Sequence, residues 1–355
     1  MGTSYSGTPE NIKPEIKYLQ WQQKYGDIFR IRLGSWKTII VNGYEAIKDT
    51  VEQKDDVFSG RPDLTTQIAS KEALDGIESM SLCNCFTHVD QFKTALKATA
   101  CVAKSKISEH KTSCINDQTR DILDALCELS EDLPDNDSDG NISATLLQFQ
   151  IWTLQGAGFD TTNRLLLFII LYLTKYPDVQ ERAQKEIDQE LGSYRNISWD
   201  NQTKLPYVMA TILEVMRKTT IVPFALPHYT LRDTKLQEYD IEKDTVVIFN
   251  LNSVAYEETY WGDPDNFRPE RLLDDSGKLD REMCSHIYLL SFGAGRRQCP
   301  GETLAEMDIF IATATLLQRY SLRKDDDRDL DLEPNRGLVL TPKPYLKLSY
   351  NEERR

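Results

Sequence analysis

Apolar residues along this chain recur mostly at helical spacing, with a few short stretches of alternation between them. Residues 14–25 carry a helical pattern that Gly26 breaks. Ile28-Phe29-Arg30-Ile31-Arg32-Leu33 then alternates, Gly34-Ser35 supplies a turn, and Lys37 to Val41 follows, so a β-hairpin is predicted. A helix is predicted over 43–53 and another over 119–130. From 64 to 116 the pattern is too weak to place elements, although Thr87 to Val102 has a helical composition. Pro134 to Gly140 reads as a solvated loop.

The second half is clearer. Asn141-Ile142-Ser143 opens a long helix to about Tyr176, Pro177 starts another that Gly192 stops, and Pro206 starts a third to about Thr219. Strands and turns fill 220–250. After Pro300, at a favoured first helical position, Leu304, Met307, Ile311, Ala314 and Leu317 recur at helical spacing. Lys324 to Glu333 reads as an acidic surface loop, and Leu338 to Leu340 and Tyr345 to Leu348 as late strands. The prediction is a mainly α chain with small sheets. No internal repeat is visible, and no parallel βαβ series that would suggest a dinucleotide fold.

The longest apolar run, Leu165 to Leu173, is too short for a bilayer that needs about twenty residues, so it reads as a buried helix segment. Residues 1–13 are polar, with no signal peptide or anchor expected. A net charge of −14 over 355 residues, without a basic stripe, argues against nucleic acid as a partner. The seven cysteines show no disulfide-like or zinc-like spacing, and Cys83-Asn84-Cys85 is too tight for a zinc pair. A reducing compartment is the default.

One cysteine stands apart. Phe292-Gly293-Ala294-Gly295-Arg296-Arg297-Gln298-Cys299-Pro300-Gly301 places Cys299 at the end of a glycine-rich loop, just before a helix start. The helix dipole there favours a thiolate. Gly295 and Gly301 permit close backbone approach, and Arg297 supplies a fixed cation suited to a carboxylate. A buried cysteine among solvated arginines fits these facts one by one; taken together they describe a seat for haem.

The full pattern Phe-x-x-Gly-x-Arg-x-Cys-x-Gly resembles the haem-binding signature of the cytochromes P450. The resemblance implies one cytochrome P450 domain over 1–355, haem b as cofactor, Cys299 as axial iron ligand, Phe292 beside the sulfur, and Arg297 on a propionate. Glu214-Val215-Met216-Arg217 alone is an ordinary helix pair, but Pro264-Asp265-Asn266-Phe267-Arg268-Pro269-Glu270-Arg271 follows it, as in the family. By resemblance, Glu214, Arg217 and Arg271 form a structural triad. Ala157-Gly158-Phe159-Asp160-Thr161-Thr162 matches the family's oxygen-groove motif, which makes Asp160 and Thr161 the proton-relay pair. Two glycines, Gly156 and Gly158, cost this helix roughly 1 kcal/mol each. His228, in Leu226-Pro227-His228, matches a propionate-bonding position. Ala157, Gly158, Val222, Pro223, Phe224, Ala225, Leu338 and Val339 match the substrate pocket.

Local wording, including Gln23-Lys24-Tyr25-Gly26-Asp27 and Gly60-Arg61-Pro62, is similar to microsomal aryl-hydrocarbon and steroid 17α-hydroxylases. The resemblance implies a monooxygenase of the endoplasmic reticulum membrane. It would take electrons from NADPH-cytochrome P450 reductase, use O2, and act on an apolar steroid or aromatic substrate. Three family features have no counterpart: the N-terminal anchor, the W-x-x-x-R helix that contacts a propionate, and much of the stretch between Pro62 and the long helix. The fold is therefore expected to be incomplete on the distal, lid side. The alternative function is a non-catalytic remnant with weak or no haem binding.

Overall fold

A computed structural model describes residues 14–33, 36–62, 101–102, 105–110, 112–113, 119–131, 141–192, 196–324, 329–343 and 348–351. The chain divides into two compact units, one formed by 1–84 with 162–355 and the other by 85–161.

The first unit is built on the helix Pro206–Thr219. Apolar residues cover it almost all round, and twelve of its residues, from Tyr207 to Thr219, are buried. Against it pack the apolar run Leu165–Leu173 of the long helix, the helix Pro177–Glu190 and the helix Glu302–Arg319, which together bury the largest core. Buried glutamines tie this core to strand Ser321–Lys324: the Gln180 side chain donates to Leu322 O at 3.1 Å and accepts from Leu322 N at 2.6 Å. Paired amide bonds of this kind satisfy a backbone that burial would otherwise orphan.

A second core lies under a four-stranded sheet of order β1-β2-β4-β3, with β1 Ile28–Leu33, β2 Trp36–Val41, β3 His228–Tyr229 and β4 Val246–Phe249. The expected hairpin pairs Ile28 with Val41. Parallel pairing of Thr38 with Val246 then carries the N-terminal segment across to the middle of the chain. As a result Gly60 bridges Tyr229, and its missing Cβ would lie 2.6 Å from Tyr229 O. This crossing sets the segment 58–61 beside His228.

The long helix runs Asn141–Lys175. In the second unit, His110 and Arg120 both bond the buried Asp124 carboxylate, at 2.8 and 2.6 Å, and hold it well below its usual pKa. Among the described residues no helix is long and apolar enough to cross a membrane.

Several expectations change. Pro300 and Gly301 form a turn, and the helix begins at Glu302 with Gly301 as its N-cap. Its buried stripe is Ile309, Phe310, Thr313, Ala314 and Leu317, whereas Leu304, in the first turn, is 59% exposed. The helix over 43–53 becomes Tyr44–Lys48 followed by a π-turn, Asp49–Gln53. Leu338 to Leu340 is not a strand; only Asn335 and Thr341 bridge there. A helix, Arg281–Phe292, appears where no element was predicted. The expectations for 64–100 and 134–140 lie outside the described residues, as do 345–347 of the last strand, which starts at Leu348.

Candidate active site

The cysteine loop is held by its own backbone. Asp280 caps the helix Arg281–Phe292 by accepting from Glu282 N and Met283 N, and the helix stops at Gly293, whose φ is 72°. A turn, Gly295–Arg297, comes next. Gly295 has φ 65°, a left-handed conformation that an L side chain resists. A Cβ there would stand 2.0 Å from Val51 O, so only glycine fits. Cys299 N donates to Phe292 O at 2.8 Å, which closes the loop. The thiol is exposed, and the position of a Cβ on Gly301 lies 4.0 Å from its sulfur. The loop thus presents a sulfur outward from a fixed backbone, with glycine on the flank.

Beside it stands a group of cations without a carboxylate among the described residues. Arg297 Nε donates to Ser59 O at 2.8 Å. Arg61 Nη1 donates to Leu226 O and Pro227 O at 2.8 and 3.0 Å. Burial, and then the Arg297 charge, lower the Arg61 pKa to about 10. His228 is 7% exposed, and its Nδ1 bonds Phe58 O at 2.6 Å. A carbonyl only accepts, so Nδ1 carries the proton and Nε2 of the neutral ring is an acceptor. Burial, and then Arg61, push the His228 pKa down to about 4. Sequence reading singled out Arg297 and His228 but not Arg61, which lies 165 residues from the carbonyls it bonds. The only signal for it was the Gly60-Arg61-Pro62 wording.

The predicted triad is assembled and buried. Arg217 Nε and Nη2 donate to Glu214 Oε2 and Oε1 at 2.8 and 2.9 Å, and Arg271 Nε donates to Glu214 Oε1 at 3.1 Å. Exposures of the three side chains are 0, 0 and 2%. The remaining donors reach carbonyls: Arg217 Nη1 reaches Ala255 O, and Arg271 Nη1 reaches Trp261 O as well as the Asp263 carboxylate. The fork geometry of guanidinium makes this possible, and lysine would not reproduce it.

The pocket expectations group together in part. Leu340 N donates to Ile221 O at 2.7 Å, and Leu251 N donates to Pro223 O at 2.9 Å. Arg164 Nη1 reaches Val339 O at 3.4 Å. These bonds join the segments of Val222, Pro223, Phe224, Ala225 and of Leu338 and Val339. Phe224 is buried, and Ala225 sits at φ 51°, the kind of strained backbone that clusters at ligand sites. Ala157, Gly158, Asp160 and Thr161 belong to the second unit. There Thr161 Oγ1 donates to Ala157 O at 2.7 Å, and a Cβ on Gly156 or Gly158 would meet nothing within 4 Å.

The donor set fits a haem. A soft thiol offered from a glycine-flanked loop suits iron. Two arginines and a histidine, with no acid between them among the described residues, suit a ligand bearing two carboxylates. Like charges kept together without a counter-ion are costly unless an anion completes them.

Comparison with known proteins agrees. The family model "Cytochrome P450" matches residues 10–77 and 69–348. The chain is 35% identical to cytochrome P450 1A1 of Rattus norvegicus over 71% of its own length and 48% of the relative. It is 36% identical to cytochrome P450 2U1 of Homo sapiens over 68% of its length and 44% of the relative. It therefore spans about half the length of these relatives. The steroid 17-alpha-hydroxylase/17,20 lyase of Ictalurus punctatus is 27% identical over 94% of the chain and 86% of the relative. That alignment is 444 positions long against a chain of 355 residues, so it opens gaps within the chain.

Proposed function

The chain belongs to the cytochrome P450 family, and from that premise we propose that it is a haem-thiolate monooxygenase. It inserts one atom of O2 into an apolar organic substrate and reduces the other to water, with electrons delivered from NADPH by a flavoprotein reductase. Its proposed place is the endoplasmic reticulum membrane. The substrate class is steroid or aromatic, by likeness to the 1A1 and 17-alpha-hydroxylase relatives. The observation that carries the reading is the cysteine loop together with the acid-free cation group beside it.

Haem held by a thiolate supplies electron density that favours O–O cleavage. The protein's own residues do the rest. Cys299 is the ligand, and the bond from its amide to Phe292 O fixes where its sulfur stands. Arg297 and Arg61 hold the cofactor's carboxylates, and His228 adds a hydrogen bond through Nε2 once protonated. Thr161 Oγ1, which donates its proton to Ala157 O, can still accept a hydrogen bond, and the Asp160 carboxylate can take a proton from solvent and give it up again. The segments 222–225 and 338–339 bound the substrate. Gly295 lets the loop close against Val51 O, and Gly301 leaves the flank of the sulfur without a side chain.

The gapped alignment favours a second reading, a remnant that holds haem weakly. Exclusion of water is what makes such a site effective, and a shortened cover would weaken it. One spectrum separates the two. The ferrous–CO complex of the purified protein is expected to show the red-shifted Soret band of a thiolate ligand, and Cys299→Ser is expected to abolish it. A wild-type protein without haem supports the remnant. A Cys299→Ser variant that keeps the band refutes the ligand assignment.

A further inference from the structure

The cysteine loop rests on a segment distant in sequence. Three close approaches to it come from residues 51–59: Val51 O lies against Gly295, Ser59 O accepts from Arg297 Nε, and Asp55 Oδ2 accepts from Arg296 N at 3.1 Å. Asp55 Oδ1 also lies 3.5 Å from Arg296 Nε. We propose that Asp55 is a positioning residue for the haem ligand: by fixing Arg296 it sets the turn that carries Arg297 and leads to Cys299. This rests on the haem-thiolate reading.

Three observations carry it. Asp55 comes directly after the π-turn Asp49–Gln53 and Lys54. Lys54, at φ −120°, breaks the helical path, and Asp55 opens the short helix Asp55–Phe58 that packs beside the loop. Next, the Asp55 Cβ and Oδ2 stand 3.1 and 3.2 Å from the missing Cβ of Gly295, so carboxylate and loop are in close contact at a residue that must be glycine. Last, Asp55 divides the labour of two adjacent arginines. Arg296 has a carboxylate within the protein, whereas among the described residues Arg297 is bonded to the Ser59 carbonyl and to no carboxylate.

The amide bond matters more than the ion pair. Arg296 is 65% exposed and Asp55 27%, so their Coulomb attraction is screened. A backbone N–H donating to a carboxylate is a charge-assisted bond, and it acts directly on the loop's geometry. Asparagine keeps an oxygen acceptor and alanine does not, so Asp55→Asn is expected to behave like wild type and Asp55→Ala not. A purely electrostatic role predicts equal loss in both.

The test has two arms. In the haem-free protein, amide hydrogen exchange is followed at Arg296 and, as a folding control, across 302–319. Asp55→Ala is expected to speed exchange at Arg296 by about tenfold, the size of one lost charged hydrogen bond, with 302–319 unchanged and Asp55→Asn restoring protection. In the haem-loaded protein, loss of haem to excess apomyoglobin and the share of thiolate-type to thiol-type CO band are measured. Asp55→Ala is expected to release haem about tenfold faster and to shift the share toward the thiol type. Unchanged exchange in Asp55→Ala, or Asp55→Asn as defective as Asp55→Ala, overturns the proposal. If wild type gives no thiolate band while the exchange arm holds, Asp55 anchors the loop but its link to haem is refuted together with the functional reading.

Discussion

Replacing Glu214 by alanine strips the acceptor from the most deeply buried charge cluster of the protein. Its two oxygens accept four hydrogen bonds, from Arg217 Nε and Nη2, Arg271 Nε and Arg268 N. Arg217 Nε and Arg271 Nε would lose their only acceptors, and each buried orphan costs about 1–3 kcal/mol. Arg217 would also keep a positive charge at 0% exposure with no carboxylate against it. Arg271 is better placed, since the Asp263 carboxylate lies 2.8 Å away. Two orphaned donors sum to about 2–6 kcal/mol, and a buried pair with one member deleted costs about 3–5 kcal/mol, which lies inside that range and is the loss expected. That is a third or more of a typical folding free energy. Urea unfolding followed together by far-ultraviolet circular dichroism and by tryptophan fluorescence measures it. With a slope near 3 kcal/mol/M, the midpoint should fall by about 1–1.7 M. Asp263→Ala is the control. Its carboxylate is 37% exposed and Arg271 keeps Glu214, so the midpoint should move much less. A Glu214→Ala midpoint within about 0.3 M of wild type, less than 1 kcal/mol at that slope, would refute the view that this triad holds the core together.

Acid should weaken the haem-free protein through His228. Its folded pKa, about 4, lies below the ordinary value of 6.5, so between those limits the unfolded chain binds a proton that the folded chain refuses. Stability from this group is therefore present above pH 6.5 and lost as pH falls to 4, by up to about 3 kcal/mol. His228→Gln should flatten that slope in a series of thermal melts, and an unaltered slope would count against it. Gly295→Ala should lower stability by at least about 2 kcal/mol, since it combines a left-handed residue with a Cβ 2.0 Å from Val51 O. A variant that melts with wild type would show that the loop adjusts freely.

What the sequence determined lies mostly within one turn or one hairpin. Glycine and proline punctuation around 206–219 and 28–41 marked those elements closely, because their rules act between residues at most a few positions apart. The cysteine loop was legible for the same reason, since its glycines, arginine and ligand lie within ten residues. Only tertiary structure decided what stands around that loop. Parallel pairing of β2 with β4 brings 58–61 to His228, and no local pattern encodes a partner more than 160 residues away. Arg61 joined Arg297 and His228 by that route, and Asp55 came to bond Arg296 across 241 residues. Packing also overruled periodicity. Leu304 fits the helical stripe yet faces water, because burial depends on whether another layer covers the turn and not on the stripe alone.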